Sequence, residues 1–203
     1  GNLSSTSDIT NYLANGGNTN KLVQAINSIK LAKALILGTM KSTGWRKGIN
    51  EVISANPQLG STMRMRITYT SGIGPLGSDR TKDNFTLVVA VSPEANWPET
   101  AIVVTVDEPR NDKSMLAGSK TTSYAQNAAV LAIAKNKGAH EAIMPNTKNE
   151  LCEGTGSNIF VVKNGKVLTP PLSGGCLGGI TRALVCQWFD VQEVDMPMSI
   201  LKE

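Results

Sequence analysis

The chain has 203 residues, 40% hydrophobic and 18% charged, enough apolar material for one large domain or two small ones and incompatible with global disorder. Its net charge of +4 is carried by scattered lysines and arginines without interleaved aromatics, which disfavours a nucleic-acid platform and suits a small anionic ligand. Cys152, Cys176 and Cys186 lack C-x-x-C spacing and His140 is the only histidine, so a disulfide framework, a zinc site and any two-histidine mechanism are disfavoured.

Residues 1–20 are rich in Asn, Gly and Ser and read as a loop-like lead-in. Leu22, Ile26, Ile29, Ala32 and Leu35 recur at helical spacing and predict a helix over 21–37. A second helix is expected over 45–55, ended by Asn56-Pro57. Residues 63–70 alternate as a strand, with Arg64 and Arg66 on one side and Met65 and Ile67 on the other. Residues 85–91 and 101–106 are continuously apolar and predict buried strands. The apolar-poor stretch 107–118 reads as a linker between two halves, 1–107 and 120–203. Beyond it a helix is expected over 122–137 with Gly138 as its stop, then a short strand over 142–144. Asn164-Gly165 predicts a tight hairpin between strands at 158–163 and 166–169. A glycine-rich loop, 174–179, leads into a helix over 180–189.

Three features in the second half carry chemistry. Lys120 stands where the linker meets a helix; a lysine beside apolar residues can be desolvated into a Schiff-base former, although most lysines are solvated surface charges. Glu153 opens E-G-T-G-S-N, whose glycines allow close backbone approach to a ligand, and which equally fits an ordinary polar turn. Gly178-Gly179-Ile180-Thr181-Arg182 opens a helix, where free N–H groups and the Thr181 hydroxyl suit a phosphate; a flexible loop before a capped helix is the other reading. A lysine, a carboxylate for a pyridinium nitrogen and a phosphate cradle together are what pyridoxal-phosphate (PLP) chemistry requires.

The strings K-T-T-S-Y (120–124), G-A-H-E-A-I (138–143), E-G-T-G-S-N-I-F (153–160), T-P-P-L (169–172) and G-I-T-R (179–182) resemble, in order and spacing, the class IV aminotransferase signature. That group includes branched-chain and D-amino-acid aminotransferases and 4-amino-4-deoxychorismate lyases, and K-T-T-S-Y resembles the lyase branch best. The resemblance implies an α/β protein of PLP fold type IV with two subdomains, and PLP as cofactor. It implies that Lys120 holds PLP covalently and moves protons as base and acid, and that Glu153 pairs with the ring nitrogen. Ile180 and Thr181 would bind the phosphate, with Ser157, Asn158 and Tyr124 as further cofactor contacts. The branched-chain enzymes place their tyrosine one position later, where this chain has Ala125. In the family's H-x-x-R-L motif an arginine binds phosphate; the nearest match, Asn18 to Leu22, puts Lys21 in its place.

The activity so implied is conversion of 4-amino-4-deoxychorismate to 4-aminobenzoate and pyruvate. The alternatives are a transaminase of branched-chain or D-amino acids and a non-catalytic truncated paralogue. A small anionic amino substrate, a homodimer and a cytoplasmic location are expected, with no nucleic acid, membrane or metal as partner. The resembled family extends beyond both ends of this sequence, so the chain reads as incomplete.

Overall fold

The computed structural model describes residues 42–59, 62–79, 86–94 and 98–202. The helix expected over 21–37, and Lys21 with it, lie outside the described residues. The chain divides into two compact units: residues 35–98 form one, and the other contains residues 99–202.

In the 35–98 unit, helix α1 (Ser42–Ala55) stops where expected. The Asn56 side-chain amide donates to Val52 O at 2.8 Å, and Pro57–Leu59 form a single 3-10 turn. Strand β1 (Met63–Thr70) pairs antiparallel with β2 (Thr86–Pro93), in register from Met63↔Pro93 to Thr70↔Thr86. Arg64 and Arg66 point to solvent while Met63 and Met65 are half-buried, until Ile67 breaks the alternation at 48% exposure. β2 was expected to be continuously buried but alternates between half-buried and exposed. It belongs to a two-stranded sheet with α1 packed on it, so an apolar run there does not entail cover on both faces.

In the second unit, β3 (Val103–Thr105) runs parallel to β4 (Glu141–Pro145), connected through α2 (Ala125–Asn136), and β5 (Leu151–Gly154) adds antiparallel to β4. The alanine-rich α2 needs little propensity help, and it ends at Gly138, whose φ of 74° suits a residue without Cβ. β4 is buried on both faces. Ala142 and Met144 pack with Val106, Val130, Ala134 and Ala139, whereas Ile143 joins Leu151, Met196 and Ile200. β3 is the edge strand, so the expected burial of 101–106 holds for Val106 but not for Ile102 or Val103. A second sheet consists of β6 (Val161–Lys163), antiparallel to β7 (Lys166–Thr169), with β8 (Val191–Glu193) parallel to β7. Asn164 and Gly165 both have positive φ, 51° and 74°, as the predicted hairpin demands. Helix α3 (Ile180–Trp188) lies between β7 and β8 in sequence.

The stretch read as a linker folds with the second unit. The Arg110 N–H donates to Pro145 O at 2.7 Å and Arg110 bridges Asn146, while Asp112 Oδ1 accepts the Thr147 N–H at 2.9 Å. Polar backbone contacts hold this segment, and apolar counting does not register them. The division between the units accordingly falls near Glu99. No helix among the described residues is long and apolar enough to cross a membrane.

Candidate active site

Glu153 sits on β5 and is 4% exposed. Its Oε1 lies 3.0 Å from Arg110 Nε, and its Oε2 accepts the Leu177 N–H at 2.8 Å. Burial raises its proton affinity above the ordinary glutamate value, partly offset by the Leu177 N–H and by the Arg110 and Lys120 charges. Two residues beyond Arg110 and two before Leu177, the backbone of Asp112 meets Gly175. A Cβ at Gly175 would lie 2.6 Å from Asp112 Cβ, and its φ is 91°.

Lys120 is exposed, with Nζ 5.9 Å from the centroid of the Tyr124 ring. The Tyr124 hydroxyl donates to Thr155 O at 3.1 Å, and the same carbonyl accepts Asn127 Nδ2 at 2.6 Å. Arg110 Nη1 donates to Asn127 Oδ1 at 3.2 Å. One chain of contacts therefore runs from Lys120 through Tyr124, Thr155, Asn127 and Arg110 to Glu153.

The chain of contacts continues to the helix start. Asn158 Nδ2 donates to Leu177 O at 2.8 Å, and Asn158 Oδ1 lies so close to Gly179 that any Cβ there would collide with it. Gly179 is the N-cap of α3 and has no side chain to bond the first turn. The N-terminal N–H groups at Ile180 and Thr181, both exposed residues, thus meet no capping side chain, which leaves the positive end of the helix available to an anion. Ser157 is exposed, and its hydroxyl donates to Glu141 Oε2 at 3.1 Å. The candidate residues that the structure describes all fall in the 99–202 unit.

Arg110, Asn127 and Glu141 had no assigned role in the sequence reading. Asn127 had a detectable signal: it shares the buried stripe of α2 with Val130 and Ala134, where an asparagine needs partners. Arg182 of the G-I-T-R string is a structural residue. Its buried Nη2 donates to Pro170 O at 2.8 Å and meets Glu193 Oε2 at 2.6 Å. His140 accepts the Ile102 N–H through Nδ1 at 2.8 Å, a packing role. Burial, followed by the neighbouring Glu153 charge, pushes the Cys152 thiol well above its ordinary value and so disfavours its thiolate.

This arrangement fits PLP. A buried carboxylate stands in contact with a cationic network, and an uncapped helix start follows a glycine pressed against Asn158.

Comparison with known proteins agrees. Residues 29–202 match the family Amino-transferase class IV. A Methanocaldococcus jannaschii protein assigned as a branched-chain-amino-acid aminotransferase is 32% identical over 125 residues, which cover 60% of this chain and 43% of that protein. A structure assigned as a 4-amino-4-deoxychorismate lyase from Legionella pneumophila superposes with a TM-score of 0.73 at 19% identity, over 91% of this chain and 68% of that one. The branched-chain aminotransferase of Thermoproteus uzoniensis superposes with a TM-score of 0.70 at 25% identity, over 77% and 56%. The chain thus spans less than half the length of the Methanocaldococcus relative. With its signature strings, its fold and this match over most of its length, the chain belongs to the class IV aminotransferases, PLP-dependent enzymes of fold type IV.

Proposed function

We propose that the protein of which this chain forms all or part is a PLP-dependent transaminase that exchanges an amino group between a small amino acid and a 2-oxo acid. The observation that carries this reading is the continuous set of contacts from Lys120 to Glu153 and on to the start of α3. Bound PLP supplies an electron sink for the charge that develops at the substrate's α-carbon. In this reading Glu153 holds a proton on the ring nitrogen. The N–H groups of Ile180 and Thr181 bind the phosphate, and Asn158 keeps that turn in place. Lys120 would hold the cofactor through its side-chain amine and would serve as general base and acid for the proton at the substrate's α-carbon. Tyr124 keeps its hydroxyl on Thr155 O and steers Lys120 through its ring face. The names of the sequence relatives support transamination of branched-chain substrates.

The K-T-T-S-Y string favours a second reading, the lyase that releases pyruvate and 4-aminobenzoate. Assays with a branched-chain amino acid plus 2-oxoglutarate, and separately with 4-amino-4-deoxychorismate, distinguish the two: new glutamate marks the transaminase, pyruvate the lyase. For either, PLP should give the protein a visible absorption band. Borohydride reduction and peptide mapping should place the pyridoxyl label on Lys120, and Lys120→Ala should lack the band. A label on another lysine rejects the assignment.

A further inference from the structure

The loop after Glu153 runs from Gly154 to Asn158 and leaves Gly156 and Ser157 exposed. A short solvent-facing loop with two glycines loses much conformational freedom when held in one shape. Besides the Gly154 N–H donated to Ser157 O at 2.7 Å, one side chain accepts four of its donors. Glu141, the first residue of β4, accepts the Thr155 N–H at 3.1 Å and the Thr155 hydroxyl at 2.5 Å on Oε1. Its Oε2 accepts the Gly156 N–H at 3.2 Å and the Ser157 hydroxyl at 3.1 Å. Oε1 also takes the Ala142 N–H at 2.9 Å, which fixes the carboxylate to its own strand. Burial alone would raise its proton affinity, but the bonds from Thr155, Ala142 and Gly156 outweigh it and hold the carboxyl below its ordinary value.

The loop has little slack. A Cβ on Gly154 would collide with Ser157 Oγ and come within 3.1 Å of the Glu141 carboxylate. Thr155 also faces two ways. Its N–H and hydroxyl are fixed by Glu141, and its carbonyl receives Tyr124 and Asn127, the residues that lead to Lys120 and Arg110.

We infer that Glu141 is a positioning residue for the cofactor: by fixing residues 155–157 it holds Tyr124 and Asn127, and through Arg110 the carboxylate of Glu153, in the arrangement that PLP meets. The inference rests on the PLP reading above.

The test compares the 203-residue chain with its Glu141→Ala and Glu141→Gln variants by PLP titration in the visible range and by amide hydrogen exchange. For Glu141→Ala we expect the PLP dissociation constant to rise about tenfold or more, the scale of one to two lost net hydrogen bonds. Exchange at residues 154–158 should quicken by a similar factor while α3 is unchanged. Glutamine can keep an oxygen toward the Thr155 donors, but its NH2 must then face the Gly156 N–H, which cannot reverse; Ser157 can. Glu141→Gln should therefore fall between wild type and Glu141→Ala, a graded rescue that general loss of fold would not give. If Glu141→Ala does not fold, Glu141→Gln decides: weaker PLP with a faster loop supports the inference, and wild-type values of both overturn it. Normal PLP binding by wild type and equal binding by Glu141→Ala overturn the positioning role alone. A wild-type chain that gains no PLP band overturns the cofactor reading, and this inference falls with it.

Discussion

Burial favours the neutral form of Glu153, and the Leu177 N–H, Arg110 and Lys120 favour the charged one. A pyridinium nitrogen brought against this carboxylate adds a further positive neighbour and tips it toward the ionised form. Glutamine at 153 keeps the shape but cannot supply the charge. Glu153→Gln should therefore still bind PLP while turnover falls by about 100-fold or more, the range of an acid–base partner. Titration and steady-state rates measured on the same preparation check this, and wild-type turnover would reduce Glu153 to a turn residue. At this scale the sequence could nominate Lys120, Glu153, Asn158, Ile180 and Thr181 because each lies within a quoted string. Glu141 lies in a quoted string and Arg110 does not, yet neither could be given a role, because each acts across the chain, Glu141 on a loop fourteen to sixteen residues away and Arg110 on Glu153. Local spacing carries no sign of such pairings.

Among the elements, the Asn164-Gly165 hairpin, the end of α1 at Asn56-Pro57 and the stop of α2 at Gly138 were all readable, since each rests on a residue with restricted or unusual backbone freedom. β5 and β8 were not. Leu151–Gly154 is too short to alternate and is buried throughout, and Val191–Glu193 is a strand only because β7 offers it a parallel edge. Arg182 fastens α3 to both, bonding Pro170 just after β7 and Glu193 on β8. The two partners differ in exposure, 5% for the Arg182 side chain and 46% for Glu193. Removing Glu193 strands a buried guanidinium, whose Nε already lacks a partner among the described residues. Removing Arg182 leaves a carboxylate that water can reach. We expect Glu193→Ala to cost about 3 kcal/mol of unfolding free energy. Arg182→Leu should cost about 1–2 kcal/mol, chiefly the lost bond to Pro170 O. Denaturant melts of both variants measure the order, and the reverse order would show that the guanidinium finds other partners.

At the scale of the molecule, residues 107–118 read as a linker because they contain few apolar side chains, whereas the two compact units divide near Glu99. Within the 35–98 unit, Ile67 and Val88 are each 48% exposed, on opposite faces of the β1–β2 sheet. The resemblance to a family of dimers, rather than a single apolar patch, leads us to propose that two copies of the chain associate. Sedimentation should then show a homodimer, and PLP should raise the melting temperature by linkage to the folded state. A monomer whose melting ignores PLP would speak against both the assembly and the cofactor site.

Gly175 also bears on the chemistry from a distance. Arg110 and Leu177 grip opposite oxygens of Glu153, and the strands of backbone that carry them meet where Gly175 touches Asp112. The missing side chain at 175 works as a spacer of zero thickness between two jaws. A single methyl group there would wedge them apart and loosen both bonds, and burial would then push the Glu153 carboxyl further toward its neutral form. The acidity of the buried carboxylate is thus set partly by a residue that has no functional group of its own.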